Sequence, residues 1–230
     1  MGSHWIFDER SHAGEEHLEP EQARRYDEKL PFDPTPEVET LREYGLTSDH
    51  LVIDFGTGTG AFPLAIASEC DRVIGVDISE SMLAVASDKL RSAGIDNVDL
   101  VESGLLTYSH NDRKADVAFS KDVLHHLPDF WKLDALTTIG GTMREGGILR
   151  LRDFVFSFDP GDARTRIDAW IDEQRASTSF SDEEIYTHFR DEFSTYGFLQ
   201  EDLLRSAGFE ILEAEYPDEF YATYVCRWLG

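Results

Sequence analysis

Lysine and cysteine are scarce in this chain of 230 residues. Five of its 21 basic residues are lysine, and its two cysteines, Cys70 and Cys226, lack the spacing of a metal site. Each cysteine reads as a small buried hydrophobe, which sets thiol chemistry aside. No apolar run reaches the length of a membrane span, and the opening MGSHWIFDER has neither region of a secretory signal. A cytoplasmic protein with no membrane partner is expected. There is no internal repeat and no low-complexity tract. Positive charge is outweighed by 46 acidic residues, for a formal charge of −25. Nucleic-acid backbones are bound by cationic surfaces that release counterions, so DNA and RNA are poor partners. Such acidity with so little lysine points to a chain suited to high salt, where screening relieves self-repulsion.

The chain is rich in short apolar runs alternating with helix-period segments, the pattern of an α/β domain. Strands are expected at LVIDF (51), RVIGVD (72), NVDLVE (97), ADVAFS (115) and GILRLRDFVF (147), with helices between successive members and a parallel sheet as the result. FEILEAEY and YATYVCRW form a terminal antiparallel hairpin. One domain over residues 1–230 follows, with four parts. Residues 1–47 make a helical cap, 48–157 a core, 158–197 a helical insert, and 198–230 a helix and the hairpin.

LVIDFGTGTGAF places alternate glycines between a strand and a helix, where glycine lets backbone N–H groups approach a ligand. Gly56, Gly58 and Ala61 fit the relaxed dinucleotide fingerprint, with Asp77 where a ribose-binding acid belongs. Asp54 favours another ligand: a carboxylate just before the loop repels a pyrophosphate but suits an ammonium group, as in S-adenosylmethionine. Asp77 can accept both ribose hydroxyls, or simply cap the helix that begins near Ser79.

VIDFGTGTG, VIGVDISESML, DVAFSKDVLHHLPD and REGGILRLRD occur in that order, and with them the chain resembles the class I S-adenosylmethionine-dependent methyltransferases. The likeness is to the small-molecule type related to quinone-biosynthesis methylases. It implies a Rossmann-like seven-stranded, mostly parallel sheet of order 3-2-1-4-5-7-6, last strand antiparallel, with helices on both faces. It further implies that Asp54, Gly56, Thr57, Gly58 and Gly60 surround the methionine part of the cofactor, that Asp77 holds the ribose, and that Ile78 and Met82 flank the adenine. The family often has an acid after the third strand that meets the adenine amino group. Here Gly104 stands at that position, leaving Ser103, Gly104 and Leu105 as the adenine contacts. The resemblance also implies that Ser120 and Lys121 border the cofactor and the reaction centre.

Methyl transfer from a sulfonium is an in-line displacement favoured by orientation, with a base needed only where the acceptor must lose a proton. His125, His126 and Asp153 are the base candidates, with His188 behind them, and no metal is expected. Arg150 and Arg152 share a strand face, and are expected to pair with acids after residue 157 unless Arg152 binds an anionic substrate. The section from Asp159 to Tyr196 reads as a substrate lid, with a capping box at Ser181 and Glu184. Trp170, Tyr186, His188 and Tyr196, with Tyr26 and Arg152, are its pocket candidates. The expected function is methyl transfer from S-adenosyl-L-methionine to a small molecule, with S-adenosyl-L-homocysteine as product, by a monomer or homodimer. The alternatives are a nicotinamide-dependent oxidoreductase and a non-catalytic cofactor-binding module. If the acidity is a salt adaptation, the urea midpoint rises between low and molar KCl; an unchanged midpoint overturns that reading.

Overall fold

Apolar residues at alternate positions let the central strands bury two faces at once. In β1 (Leu51–Phe55), Leu51, Ile53 and Phe55 enter the core on one side of the sheet and Val52 enters that on the other. The same sorting holds in β4 (Ala115–Lys121), with Ala118 opposite Val117 and Phe119, and in β5 (Met143–Phe156), with Leu149 and Leu151 opposite Ile148. In the computed structural model, which describes residues 5–178 and 180–230, eight strands share one sheet. With β2 (Arg72–Asp77), β3 (Val98–Glu102), β7 (Phe209–Glu215) and β8 (Tyr221–Trp228), its order is β3-β2-β1-β4-β5-β8-β7. Strand β8 is antiparallel to both neighbours, and the short β6 (Thr195–Tyr196) pairs with β5 off this path. Without β6 this is the expected order 3-2-1-4-5-7-6, reversed last strand included.

Helices α4 (Ala61–Ile66), α5 (Glu80–Ala93), α6 (Asp129–Thr142) and α9 (Gly197–Ser206) connect the strands. Helix α5 shows why they form. Ser79 caps it by accepting from Met82 N (3.1 Å), Met82, Ala86 and Leu90 bury one stripe, and Gly94 in the left-handed region (φ 69°) ends it. The helix expected between β3 and β4 is absent. There Gly104 O accepts from Thr107 N and Tyr108 N in a turn, followed by Ser109, His110, Asn111 and Asp112, poor helix formers whose polar side chains compete for the backbone.

The N-terminal segment is helical where described, its first four residues lying outside the described set: a 3₁₀ turn over Glu9–His12, then α1 (Glu15–Leu18), α2 (Pro20–Lys29) and α3 (Thr35–Glu43). Val38 and Leu41 of α3 join Phe62, Ile66, Phe119 and Val225 in the core on one face. Glu37 carries two arginines of β5, Arg150 at 2.6 Å and Arg152 at 3.9 Å. This corrects the expected pairing with acids after residue 157: α3, not the insert, covers that face of β5. The insert contributes α7 (Ala163–Ser177) and α8 (Asp182–Arg190), with Ser179 outside the described residues; α8 starts at the expected capping box of Ser181 and Glu184. Trp170, Phe189 and Tyr196 pack on a separate aromatic core of Phe154, Phe158 and Phe220.

The Glu37–Arg150 side chains are 4% and 8% exposed, so removing one partner leaves a buried charge uncompensated. Glu37→Ala is expected to cost about 3–5 kcal/mol in urea unfolding, at low and high salt alike because buried pairs are little screened. The double variant Glu37→Leu, Arg150→Met should recover most of that loss.

Candidate active site

The loop after β1 turns on glycines with positive φ. A Cβ on Gly56 (φ 78°) would sit 2.1 Å from Val123 Cγ2, so only glycine fits that approach. A Cβ on Gly58 (φ 52°) would meet nothing within 4 Å, which leaves its backbone open on that side. Gly56 N and Thr57 N both donate to Val76 O of β2 and bend the loop across the sheet edge.

A buried carboxylate, Asp54, and a half-buried one, Asp77, flank this loop. Asp54, at 2% exposure, accepts from Thr57 Oγ1 at 2.6 Å. Burial pushes its carboxyl up to about 7, with Thr57 opposing and the Asp77 charge adding to the rise. Asp77, at the end of β2, accepts from Gly58 N (2.7 Å) on one oxygen and from Ser79 N (2.8 Å) on the other. Burial raises it too, against those two bonds. Asp77 therefore ties the loop down, while the cap of α5 is Ser79. Ser103 N donates to Asp77 O, which brings the end of β3 beside it. Ile78 and the fully buried Met82 follow on the same edge, and Leu105 is buried beyond them.

The N-terminal segment lies along this edge. Glu9 accepts from Leu105 N (2.7 Å) and Leu106 N (3.0 Å), and Arg10 Nη1 donates to Ile78 O (2.9 Å). Ser79 Oγ donates to His17 O, and Asp27 accepts from Thr59 of the loop and pairs with Lys89 of α5. The composition of the first 30 residues does not mark Glu9; the glycine at 104 is the only signal in the sequence, because it makes room for that carboxylate.

Past β4 the chain gathers titratable groups. Asp122 is the one non-glycine residue with positive φ (56°) among the described residues; it pairs with Lys121, whose ammonium lies over the Phe32 ring. His125 Nδ1 meets Asp153 Oδ1 at 2.6 Å, and Asp153 also accepts from Leu124 N and Phe154 N. Burial would lower the His125 imidazolium, but Asp153, with Glu192 3.8 Å from Nε2, outweighs it and holds the pKa near 9. His125 is thus a charged strut between two carboxylates. His126 is the reverse case: burial and then the neighbouring His125, His17 and His188 push it well below the ordinary value. Its Nδ1 is buried without a partner, as are Ser120 Oγ and Arg152 Nε. His125, His126 and Glu192 offer ligand atoms within 4.8 Å of one another, a set that could also hold a metal ion.

The lid candidates divide. His188 comes to the site, stacked on Phe154 (4.9 Å) with Nδ1 2.7 Å from Glu192. Arg152 lies at the same edge, over the Tyr221 ring at 5.3 Å, and Tyr26 lies 5.2 Å from His17. Trp170 and Tyr196 are held in the aromatic core, and Tyr186 bonds Arg175 and Asp182, joining α7 to α8. Those three correct the pocket expected from the aromatics of the insert: packing between its two helices and β5 consumes them.

Residues 52–147 match the methyltransferase-domain family. Over 97 residues the chain is 32% identical to phosphoethanolamine N-methyltransferase 2 of Caenorhabditis elegans, covering 42% of this chain and 22% of that protein. Over 111 residues it is 30% identical to 27-O-demethylrifamycin SV methyltransferase of Amycolatopsis mediterranei (strain S699), covering 47% and 40%. It spans less than half the length of these curated relatives. Phosphoethanolamine N-methyltransferase 2 of Haemonchus contortus, solved with S-adenosyl-L-methionine, superposes with a TM-score of 0.74 at 16% identity over 98% of this chain and 61% of that one. The core sequence over residues 52–147 is thus similar to the methyltransferase-domain family, and the fold of the chain is the one seen in S-adenosylmethionine-dependent methyltransferases.

Proposed function

We propose that this chain transfers a methyl group from S-adenosylmethionine to a small-molecule acceptor. The observation that carries the reading is a pair of carboxylates, the buried Asp54 and the half-buried Asp77, on either side of a glycine loop whose backbone is open at Gly58. The donor set suits the cofactor at each end. Asp54 is a buried carboxylate for an ammonium group, and Asp77 has acceptor capacity beyond its two N–H bonds for a ribose diol. A pyrophosphate would meet two negative charges there, which disfavours a nicotinamide dinucleotide. The named relatives act on small molecules, phosphoethanolamine and a demethylrifamycin, and support that acceptor class.

When bound, S-adenosylmethionine supplies an electrophilic methyl group on a sulfonium, which an acceptor takes by in-line displacement. The protein's own contribution is position and proton handling. His126, neutral at physiological pH with an unpartnered Nδ1, is the group able to take a proton from a hydroxyl or ammonium acceptor. His125 holds its own proton through Asp153 and fixes the turn that presents His126. His188 and Glu192 brace the far side.

Calorimetric titration with S-adenosylhomocysteine, beside NAD and NADP, tests the cofactor. Micromolar binding of S-adenosylhomocysteine alone is expected, and binding of a nicotinamide dinucleotide instead overturns the reading. Asp77→Asn should weaken it by about tenfold or more, because an amide replaces a charged acceptor. Affinity should rise from pH 6 to pH 8, since an ammonium ligand favours the ionised Asp54 and drives off the proton it holds near pH 7. Asp54→Asn should flatten that dependence. Between about pH 4 and pH 7 the folded chain keeps an Asp54 proton that the unfolded chain has lost, so this group lowers stability as pH rises. The unliganded Asn variant should therefore melt higher at pH 8, by about 2–4 °C per kcal/mol relieved. With an acceptor found by screening for S-adenosylhomocysteine release, His126→Gln should cut kcat by about 10²-fold or more, whereas His125→Gln should chiefly lower the melting temperature.

A further inference from the structure

Gly104 is buried at the end of β3, and no left-handed backbone explains its lack of a side chain. What explains it is Glu9. A Cβ built on Gly104 would lie 2.2 Å from Glu9 Oε2, 2.6 Å from its Cδ and 2.8 Å from Oε1. The carboxylate of Glu9 thus fills the space that a side chain at 104 would enter, 95 positions further along the chain. It is fixed there by successive backbone donors, Leu105 N on Oε1 and Leu106 N on Oε2. The segment carrying it is anchored on both sides. Phe7 packs against Trp131 and Phe193, and Arg10 bonds Ile78 O and lies 3.7 Å from Glu102.

The location bears on the nucleoside. Were the ribose held at Asp77, a base reaching toward β3 would meet the chain that follows it: Ser103 N donates to Asp77 O, and the run continues to Leu106. Glu9 is the carboxylate on that run. An adenine presents an exocyclic amino donor, which a carboxylate accepts; a hypoxanthine presents a carbonyl oxygen, which it repels. We propose that Glu9, reaching from the N-terminal segment into the space left by Gly104, is the residue that selects adenine in the cofactor site. The inference rests on the S-adenosylmethionine reading and adds to it a specificity determinant outside the matched domain of residues 52–147.

The test compares S-adenosylhomocysteine with its deaminated analogue, S-inosylhomocysteine, by calorimetry on the full chain. The wild type should prefer the adenine form by about tenfold or more. Glu9→Gln, whose amide can donate to the hypoxanthine oxygen, should erase or reverse that preference, while giving up one of the two backbone N–H bonds and so lowering the melting temperature. The double variant Glu9→Ala, Gly104→Asp returns a carboxylate to the same space from the neighbouring backbone and should restore it. A preference unchanged in Glu9→Gln overturns the proposal while leaving the cofactor reading intact. Tighter binding of S-adenosylhomocysteine by Glu9→Ala also overturns it, since Glu9 would then be a plug that the base displaces. A wild type that binds neither nucleoside overturns the cofactor reading and this proposal together.

Discussion

The carboxylate of Asp77 is the constraint on which the site depends. One oxygen holds the glycine loop through Gly58 N, the other holds the entry to α5 through Ser79 N, and its main-chain carbonyl takes Ser103 N from the end of β3. Three separate pieces of chain are thereby set around one half-buried acid. A carboxylate in that position costs desolvation energy, visible as its raised pKa, and the two N–H donors offset part of the cost. Nearby Asp54 has one hydroxyl donor and rises to about 7. The sheet edge therefore concentrates negative charge next to an open backbone, and such a place is best satisfied by a ligand that brings cationic and hydroxyl groups.

The N-terminal segment completes that edge from outside the matched domain. Its contacts run from Leu105 and Leu106, through Ile78 and Ser79, to Thr59 in the glycine loop and Lys89 of α5. Its third helix turns to the other task of covering the β5 face, where Glu37 neutralises Arg150 inside the core. One stretch of about forty residues thus closes the edge of the sheet and one of its faces.

At the end of β4, electrostatics separates two adjacent histidines of the same ordinary pKa. His125 lies between Asp153 and Glu192 and keeps its proton; His126 lies among other histidines and loses it. The insert acts here through His188 and Glu192, and its larger aromatics are occupied in holding the insert to β5. The strained backbone of Asp122 marks the turn that brings this pair forward, as is common where a site over-determines its geometry.

Local chemistry determined much of this protein. Alternating apolar residues set the strands, the order of the elements set the parallel sheet, and LVIDFGTGTG and VIGVD put Asp54, Gly58 and Asp77 at the ends of β1 and β2, because each lies next to the element that positions it. The capping box of α8 and the start of α5 near Ser79 were legible for the same reason. Contacts between distant segments were decided only by the tertiary structure: Glu9 on Leu105, Glu37 on Arg150, and the split between His125 and His126. Strand and turn signals are interactions over a few residues and can be read along the chain. A carboxylate's partner, and a histidine's proton, depend on which remote groups share its low-dielectric surroundings, and the packed fold alone brings those groups within reach.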